Sequence, residues 1–284
     1  MTRDDLVACV LRAHEVLRRE SDLSPCNPRL NAALSALVQA VLEGCPPGEA
    51  RHVLADSRVS AVRGALVRRL ALAEGAMERH WAKAFCRRVR LAPADLRQFT
   101  YWDCYRHLVR AELRSLVPRL KLGKGGSIAF VGAGPLPLSA IILQLSTGLR
   151  VTCIDVDPEA CSLAGELCRK AGLAGLEVRC AAGVQHDYAR HPVVVVASLV
   201  SEKTETMRRI RATRPSALVA LRSVEGLCAL LYDPVDEAEL DAIGCGYLGR
   251  TGHNPRAINI TLLYEPAPAR PGVPDAEVRR QHWQ

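Results

Sequence analysis

The sequence predicts an α/β protein whose first 120 residues are helical and whose remainder alternates strand and helix to build a sheet of about seven strands. Three observations carry this. The stretch 127–157 holds an apolar run, Ile128 to Val131, that meets Gly132 and Gly134, then an apolar helix, then a second apolar run ending at Asp155. That is a buried parallel strand, a turn needing backbone freedom, and a return strand. The run His191 to Val200 is apolar and β-branched, as a strand covered on both faces should be. Before residue 121 the apolar residues recur only at helical spacing.

In chain order, residues 2–20 read as a helix with Thr2 as N-cap and Leu6, Val10 and Leu17 on one side. Ser21 to Pro28 reads as a loop, and Asn31 to Leu42 as a second helix stopped by Gly44-Cys45-Pro46-Pro47. Ser60 to Val89 forms one long helical pattern with a break expected near Gly75. Tyr101 to Val117 is another helix, closed by Pro118, and 121–126 is a linker. Strands are expected near 127–132, 150–155, 176–181, 192–198, 216–222, 244–250 and 257–264. Helices are expected near 137–147, 158–171, 201–213 and 235–242. The proline-rich stretch 266–284 reads as a tail.

The 127–157 layout is that of a Rossmann-like nucleotide site: glycines under the ligand, a helix N-terminus facing it, and a carboxylate for ribose hydroxyls about twenty residues on. The dinucleotide pattern would place glycine at 137, where this chain has Pro137, with Pro135 two positions earlier. A pyrophosphate seeks free N–H groups at this turn, and two prolines remove two of them. S-adenosylmethionine (SAM), a sulfonium cation without phosphate, does not require that cradle. The expected SAM contacts are Gly132, Ala133, Gly134, Pro135, Leu136, Pro137, Asp155 and Val156, with Gly183, Val184 and Ser198 from later strand ends.

Composition narrows the remaining classes. Lys and Arg exceed Asp and Glu by 38 to 30, but aromatics are only 4% and the arginines sit singly on helix faces, so nucleic acid is not the expected partner. No run approaches the length of a membrane span and no signal-peptide pattern opens the chain, so a cytoplasmic location is expected. The 11 cysteines are scattered without a C-x-x-C pair, which points to reduced thiols and no metal site.

The string Phe130-Val-Gly-Ala-Gly-Pro-Leu-Pro-Leu-Ser139 resembles the signature of the nicotianamine synthase family. Ala73-Glu-Gly-Ala-Met-Glu-Arg-His80, Phe99-Thr-Tyr-Trp-Asp-Cys-Tyr105 with Leu108 and Glu112, Val219 to Ser223 with Leu231-Tyr232, and His253-Asn-Pro255 with Asn259 extend the likeness. Thr100, Cys104 and Gly183 depart from it; at Gly183 the plant pattern has an aspartate, so Asp187 or the 183–184 backbone is expected to take over its contact. The resemblance implies a SAM-dependent transferase that moves a 3-amino-3-carboxypropyl group to an amine and releases methylthioadenosine. Its bacterial branch implies a single transfer to histidine, in opine metallophore synthesis. Homodimerisation is left open. Without the resemblance, a small-molecule methyltransferase on the same cofactor fold is the alternative.

This chemistry requires the two reacting atoms about 3–3.5 Å apart and in line, and a base for the acceptor ammonium. Positions 101, 105, 108 and 112 fall within about 60° of one another on a helix, so Tyr101, Tyr105 and Glu112 share a face. Glu74 and Glu78 are i, i+4 neighbours beside Met77 and Trp81. Glu74 is expected to be the base with Glu78 next, and Tyr105 beside them. Tyr101, Glu112, Arg222 and His253 are the expected substrate contacts, Arg222 through a bidentate grip on a carboxylate.

Overall fold

A computed structural model describes residues 1–46, 48–119, 126–252 and 258–266. The expected linker at 121–125, His253 and the expected tail at 267–284 lie outside them. The helical region holds α1 (Arg3–Arg19), α2 (Pro28–Glu43), α3 (Glu49–Leu54), α4 (Ser57–Cys86) and α5 (Trp102–Leu116). The sheet region runs β1 (Ser127–Val131), α6 (Leu138–Thr147), β2 (Arg150–Asp155), α7 (Pro158–Lys170), β3 (Leu176–Cys180) and β4 (Val193–Val196). It continues with α8 (Lys203–Thr213), β5 (Leu218–Ser223), a 3-10 turn (Gly226–Leu230), α9 (Glu237–Ala242), β6 (Cys245–Arg250) and β7 (Ile260–Pro266).

The helix ends follow local chemistry. Thr2 caps α1 by accepting from the Asp5 N–H at 3.1 Å. The second helix begins three residues earlier than expected because Asn27 caps it and Pro28 takes the first helical position, where a missing N–H costs nothing. The expected break at Gly75 is absent: α4 runs unbroken for 30 residues. A helical glycine costs about 1 kcal/mol, and packing of Leu66, Ala73 and Phe85, each at most 4% exposed, outweighs it. The six-residue α3 escaped sequence reading because it is too short to show a period, yet its Val53 is fully buried.

The strands lie in the order β3-β2-β1-β4-β5-β7-β6. All are parallel except β7, which runs antiparallel between β5 and β6. Strand order reverses between β1 and β4, so a crevice opens at their carboxyl ends, where ligands bind in such sheets. β4 throughout and β1 beyond Ser127 are apolar because helices cover both faces, and Val193 to Val196 are fully buried.

The helical region covers that crevice. Val109 and Leu116 of α5 pack with Ile128 and Phe130 of β1. The end of α4, through Ala82 and Phe85, packs with Leu138 and Ile141 of α6 and Leu167 of α7. Helices α1, α2 and α4 share a core with Leu227, Leu230 and Leu231, which follow β5. The two regions therefore interlock.

Candidate active site

A cavity of about 1640 Å³ lies between the sheet's carboxyl edge and the helical cover. Ligand sites usually measure about 300–1,000 Å³, so this space exceeds the usual size of a site for one small ligand. Its floor is the β1–α6 turn. Gly132 and Gly134 have φ of 76° and 68°, a region that only glycine enters cheaply. A Cβ on Gly132 would come within 2.6 Å of Val200 Cγ2, and one on Gly134 within 2.5 Å of Glu78 Oε2. Ala133, Pro135 and Leu136 line the same floor. Pro137 does not: it precedes α6 as its N-cap residue and stands behind the wall.

Asp155 ends β2 and braces this turn. Its Oδ2 accepts from the Gly134 N–H at 2.8 Å, and its Oδ1 accepts from the Asp157 N–H at 3.0 Å. Each carboxylate oxygen can accept more than one bond, so the residue still faces the cavity with acceptor capacity. Val156 beside it is 72% exposed and lines the rim. Gly183 lines the wall so tightly that a Cβ would sit 2.7 Å from Val131 Cγ1. Val184 and Asp187 are not among the lining residues; Asp187 instead accepts from the Ala189 N–H at 3.0 Å. Ser198 lines the wall and is fixed twice, its hydroxyl accepting from Asn259 at 2.8 Å and its carbonyl from Lys203 at 2.7 Å.

The roof carries the acids. The α4 face bearing Ala73 and Met77 turns Glu74 and Glu78 into the cavity, while Arg79, also at the cavity wall, and Lys83 reach the start of α7. There Arg79 pairs with Asp157, and Lys83 with Glu159 at 2.8 Å. Tyr105 donates its phenol proton to Glu78 Oε1 at 3.0 Å. Tyr232 donates to Glu74 Oε2 at 2.7 Å. Burial first, then the Glu74 charge, push the Glu78 carboxyl up from an ordinary 4.5 to about 8. Burial also raises Glu74, against the opposing pull of Tyr232 and Arg222. Burial pushes both phenols well above the usual tyrosine range, so they stay protonated donors.

Two expected substrate contacts need correcting. Arg222, only 4% exposed, directs Nε and Nη2 at Glu112 Oε1 and Oε2, at 2.8 and 3.1 Å. Its bidentate fork is therefore engaged within the protein, although the residue still lines the cavity. Glu112 is fully buried behind it and does not line the cavity. The shared helix face is real, but its far end is structural. Tyr101 precedes α5 rather than sitting within it, 45% exposed at the cavity rim. His253 lies outside the described residues. Sequence reading passed over Tyr232 as a site residue, although Leu231-Tyr232 stood within the resemblance.

Strand order, glycine turn and covered crevice together define the class: a SAM-dependent-transferase-type sheet under a helical roof. MtNAS, crystallised as a glutamate-to-glutamine variant in complex with S-adenosylmethionine, has this fold, with a TM-score of 0.79, 21% identity, and coverage of 92% of this chain and 98% of that one. The family model for nicotianamine synthase protein matches residues 1–265, and the chain belongs to that family. Nicotianamine synthase 9 of Hordeum vulgare is 30% identical over 255 residues, 85% of this chain and 73% of that protein. An L-histidine 2-aminobutanoyltransferase of Pseudomonas aeruginosa is 36% identical over 117 residues, 40% of this chain. The match spans 44% of that relative's length.

Proposed function

We propose that the protein transfers a 3-amino-3-carboxypropyl group from SAM to the amine of a small amino acid, histidine being the expected acceptor, and releases methylthioadenosine. The observation that carries this reading is the Glu78 carboxylate: it is pushed to about 8 and lies against Gly134, beside the turn where the SAM methionine moiety would rest. Family membership and the named transferase relatives support it. The cavity suits SAM on its own chemistry. The glycine turn lets a ligand approach the backbone closely, the prolines offer no phosphate cradle, and buried carboxylates suit a sulfonium cation.

In this reading, SAM lies over Gly132–Leu136 with its ribose toward Asp155 and its base near Val156 and Gly183. The acceptor enters below α4 and α5 and presents a neutral amine to the methionine Cγ. A nitrogen–carbon bond forms as the carbon–sulfur bond breaks, and that electron pair returns to the sulfonium, leaving neutral methylthioadenosine. The ammonium proton passes to Glu78, whose raised pKa suits a base working near neutrality. Tyr105 holds Glu78 in place. This reading gives the role of base to Glu78 rather than the expected Glu74, on the support of its raised carboxyl and its position against Gly134.

Among the described residues no helix is long and apolar enough to cross a membrane. A cytoplasmic place of action accords with cysteines that are all free thiols. The test of the reaction is mass spectrometry of products from SAM and a pool of amino acids. An aminobutyrate addition with methylthioadenosine supports it; S-adenosylhomocysteine with a methylated product would instead make the protein a methyltransferase.

A further inference from the structure

Glu74 and Glu78 stand one helical turn apart in one cavity, each with a phenol donor, and two such carboxylates would ordinarily compete for a proton. What distinguishes them lies behind the cavity wall. Arg222, from β5, is held by the bidentate contact to Glu112 of α5 at 2.8 and 3.1 Å. Glu112 Oε1 also accepts from the Thr261 hydroxyl of β7 at 2.9 Å, and the guanidinium carbon lies 5.2 Å from the centre of the Phe130 ring. Three strands and a helix thus fix one planar cation, and Arg222 Nη1 carries no hydrogen bond among the described residues. Arg222 and Glu74 line the same cavity.

The surrounding charges are unevenly shared. Arg222 pulls on Glu74. Glu78 instead faces Glu74 from its own helix and Asp155 from β2, both of which disfavour its charge, with Tyr105 and Arg79 opposing them. Tyr232 hydrogen-bonds Glu74, and Tyr105 favours the charge of both carboxylates, while burial disfavours it in each.

We propose that the buried Arg222–Glu112 pair divides the labour between the two carboxylates, keeping Glu74 a fixed anion and leaving Glu78 as the group that exchanges the proton. Glu112 is then a positioning residue: it sets the plane of the guanidinium and holds its charge at the cavity that Glu74 lines. The proposal rests on the transfer reading for the use to which Glu78 is put, but not for the charge division itself. A fixed anion at Glu74 would also attract the ammonium of either substrate.

The experiment is a carbon NMR titration of the glutamate side-chain carboxyls in the intact protein labelled at that carbon. Resonances are assigned with Glu74→Gln and Glu78→Gln. Glu78 is expected to titrate near pH 8 and Glu74 at clearly lower pH. Replacing both members of the pair by apolar residues (Glu112→Leu with Arg222→Met) avoids leaving a buried unpaired charge. It should raise the Glu74 midpoint. Glu112→Gln keeps the packing but leaves the Arg222 charge uncompensated, and should lower the Glu74 midpoint. These opposite shifts are not what a merely structural pair would produce. If Glu74 titrates above Glu78 in the unaltered protein, or if Glu112→Gln leaves the Glu74 midpoint where it was, the proposal is overturned. Methylthioadenosine release, assayed separately, decides the transfer reading without reference to these midpoints.

Discussion

The two walls of the cavity work by different chemistry. The sheet wall acts through backbone: glycine dihedrals, the N–H groups of the β1–α6 turn, and one carboxylate that braces them. Few of its side chains could be exchanged for chemistry of another kind without closing the floor. The opposite wall acts through side chains alone: two carboxylates on α4, a phenol on α5 and a phenol from the segment after β5, all half-buried at the cavity. In the proposed reaction the floor shapes the site and the roof handles the proton. A change in the floor should therefore alter binding, and a change in the roof should alter turnover or its pH dependence.

The sharpest way to break that contrast is Glu78→Gln. It should leave SAM binding by calorimetry close to that of the parent and cut methylthioadenosine release by roughly 10²–10⁴-fold, the usual worth of a general base. A variant with near-parent turnover would return the role to Glu74. The same substitution should change stability with pH. The folded carboxyl is raised from 4.5 to about 8, so its contribution to stability is complete below 4.5 and is lost as pH rises through 8. Glu78→Gln has no such loss. Its melting temperature should gain on the parent's between pH 5 and pH 9, a difference that scanning fluorimetry reads directly.

Next in size is Gly134→Ala. It combines a positive φ, costing about 1–2 kcal/mol for a residue with a Cβ, with a contact at 2.5 Å to Glu78 Oε2. SAM affinity and turnover should both fall, since here the glycine turn lies directly against a roof carboxylate. Equal turnover at saturating SAM would show that the contact relaxes at no cost to the base.

Tyr105→Phe should act on the roof alone. Loss of a hydrogen bond to a charged group is worth about 1.5–3 kcal/mol. Because Tyr105 lowers the Glu78 pKa, removing it should move the rising limb of kcat/KM to higher pH. A shift to lower pH would contradict the assigned hydrogen bond.

The smallest expected effect is in the floor. Asp155→Asn keeps size but loses charge-assisted acceptance from Gly134 N–H, and SAM binding should weaken by about 1–3 kcal/mol; because the Asp155 charge disfavours that of Glu78, the rising limb of kcat/KM should also move slightly to lower pH. Unchanged affinity would confine Asp155 to bracing the turn.

The same contrast explains what could be read from the amino-acid order. The floor is local: Gly132, Gly134 and Asp155 fall within one strand-helix-strand stretch, and β2 matches its expected limits. The roof joins residues far apart, with Tyr105 reaching Glu78 across 27 positions, Arg222 reaching Glu112 across 110, and Tyr232 reaching Glu74 across 158. Periodicity could show that Glu74 and Glu78 share a helix face with apolar neighbours. It could not show which tyrosine each would meet, or that Arg222 would turn its fork on Glu112. A buried carboxylate and one facing substrate look alike until the strand opposite is known. For the same reason Gly75 looked like a helix break, when the packing around α4 carries the helix through it.

The shared core of α1, α2 and α4 with Leu227, Leu230 and Leu231 has a consequence for the order of assembly. As the chain leaves the ribosome, the first four helices emerge early with Leu37 and Leu66, fully buried in the finished protein, still lacking part of their cover. That cover arrives only after β5, on the same short segment that carries Tyr232 to Glu74. Closing the helical core and completing the acid site are thus one event. A chain that has not yet delivered residue 232 has its glycine floor encoded but no finished roof, and the protein acquires its chemistry at the moment it hides its last exposed leucines.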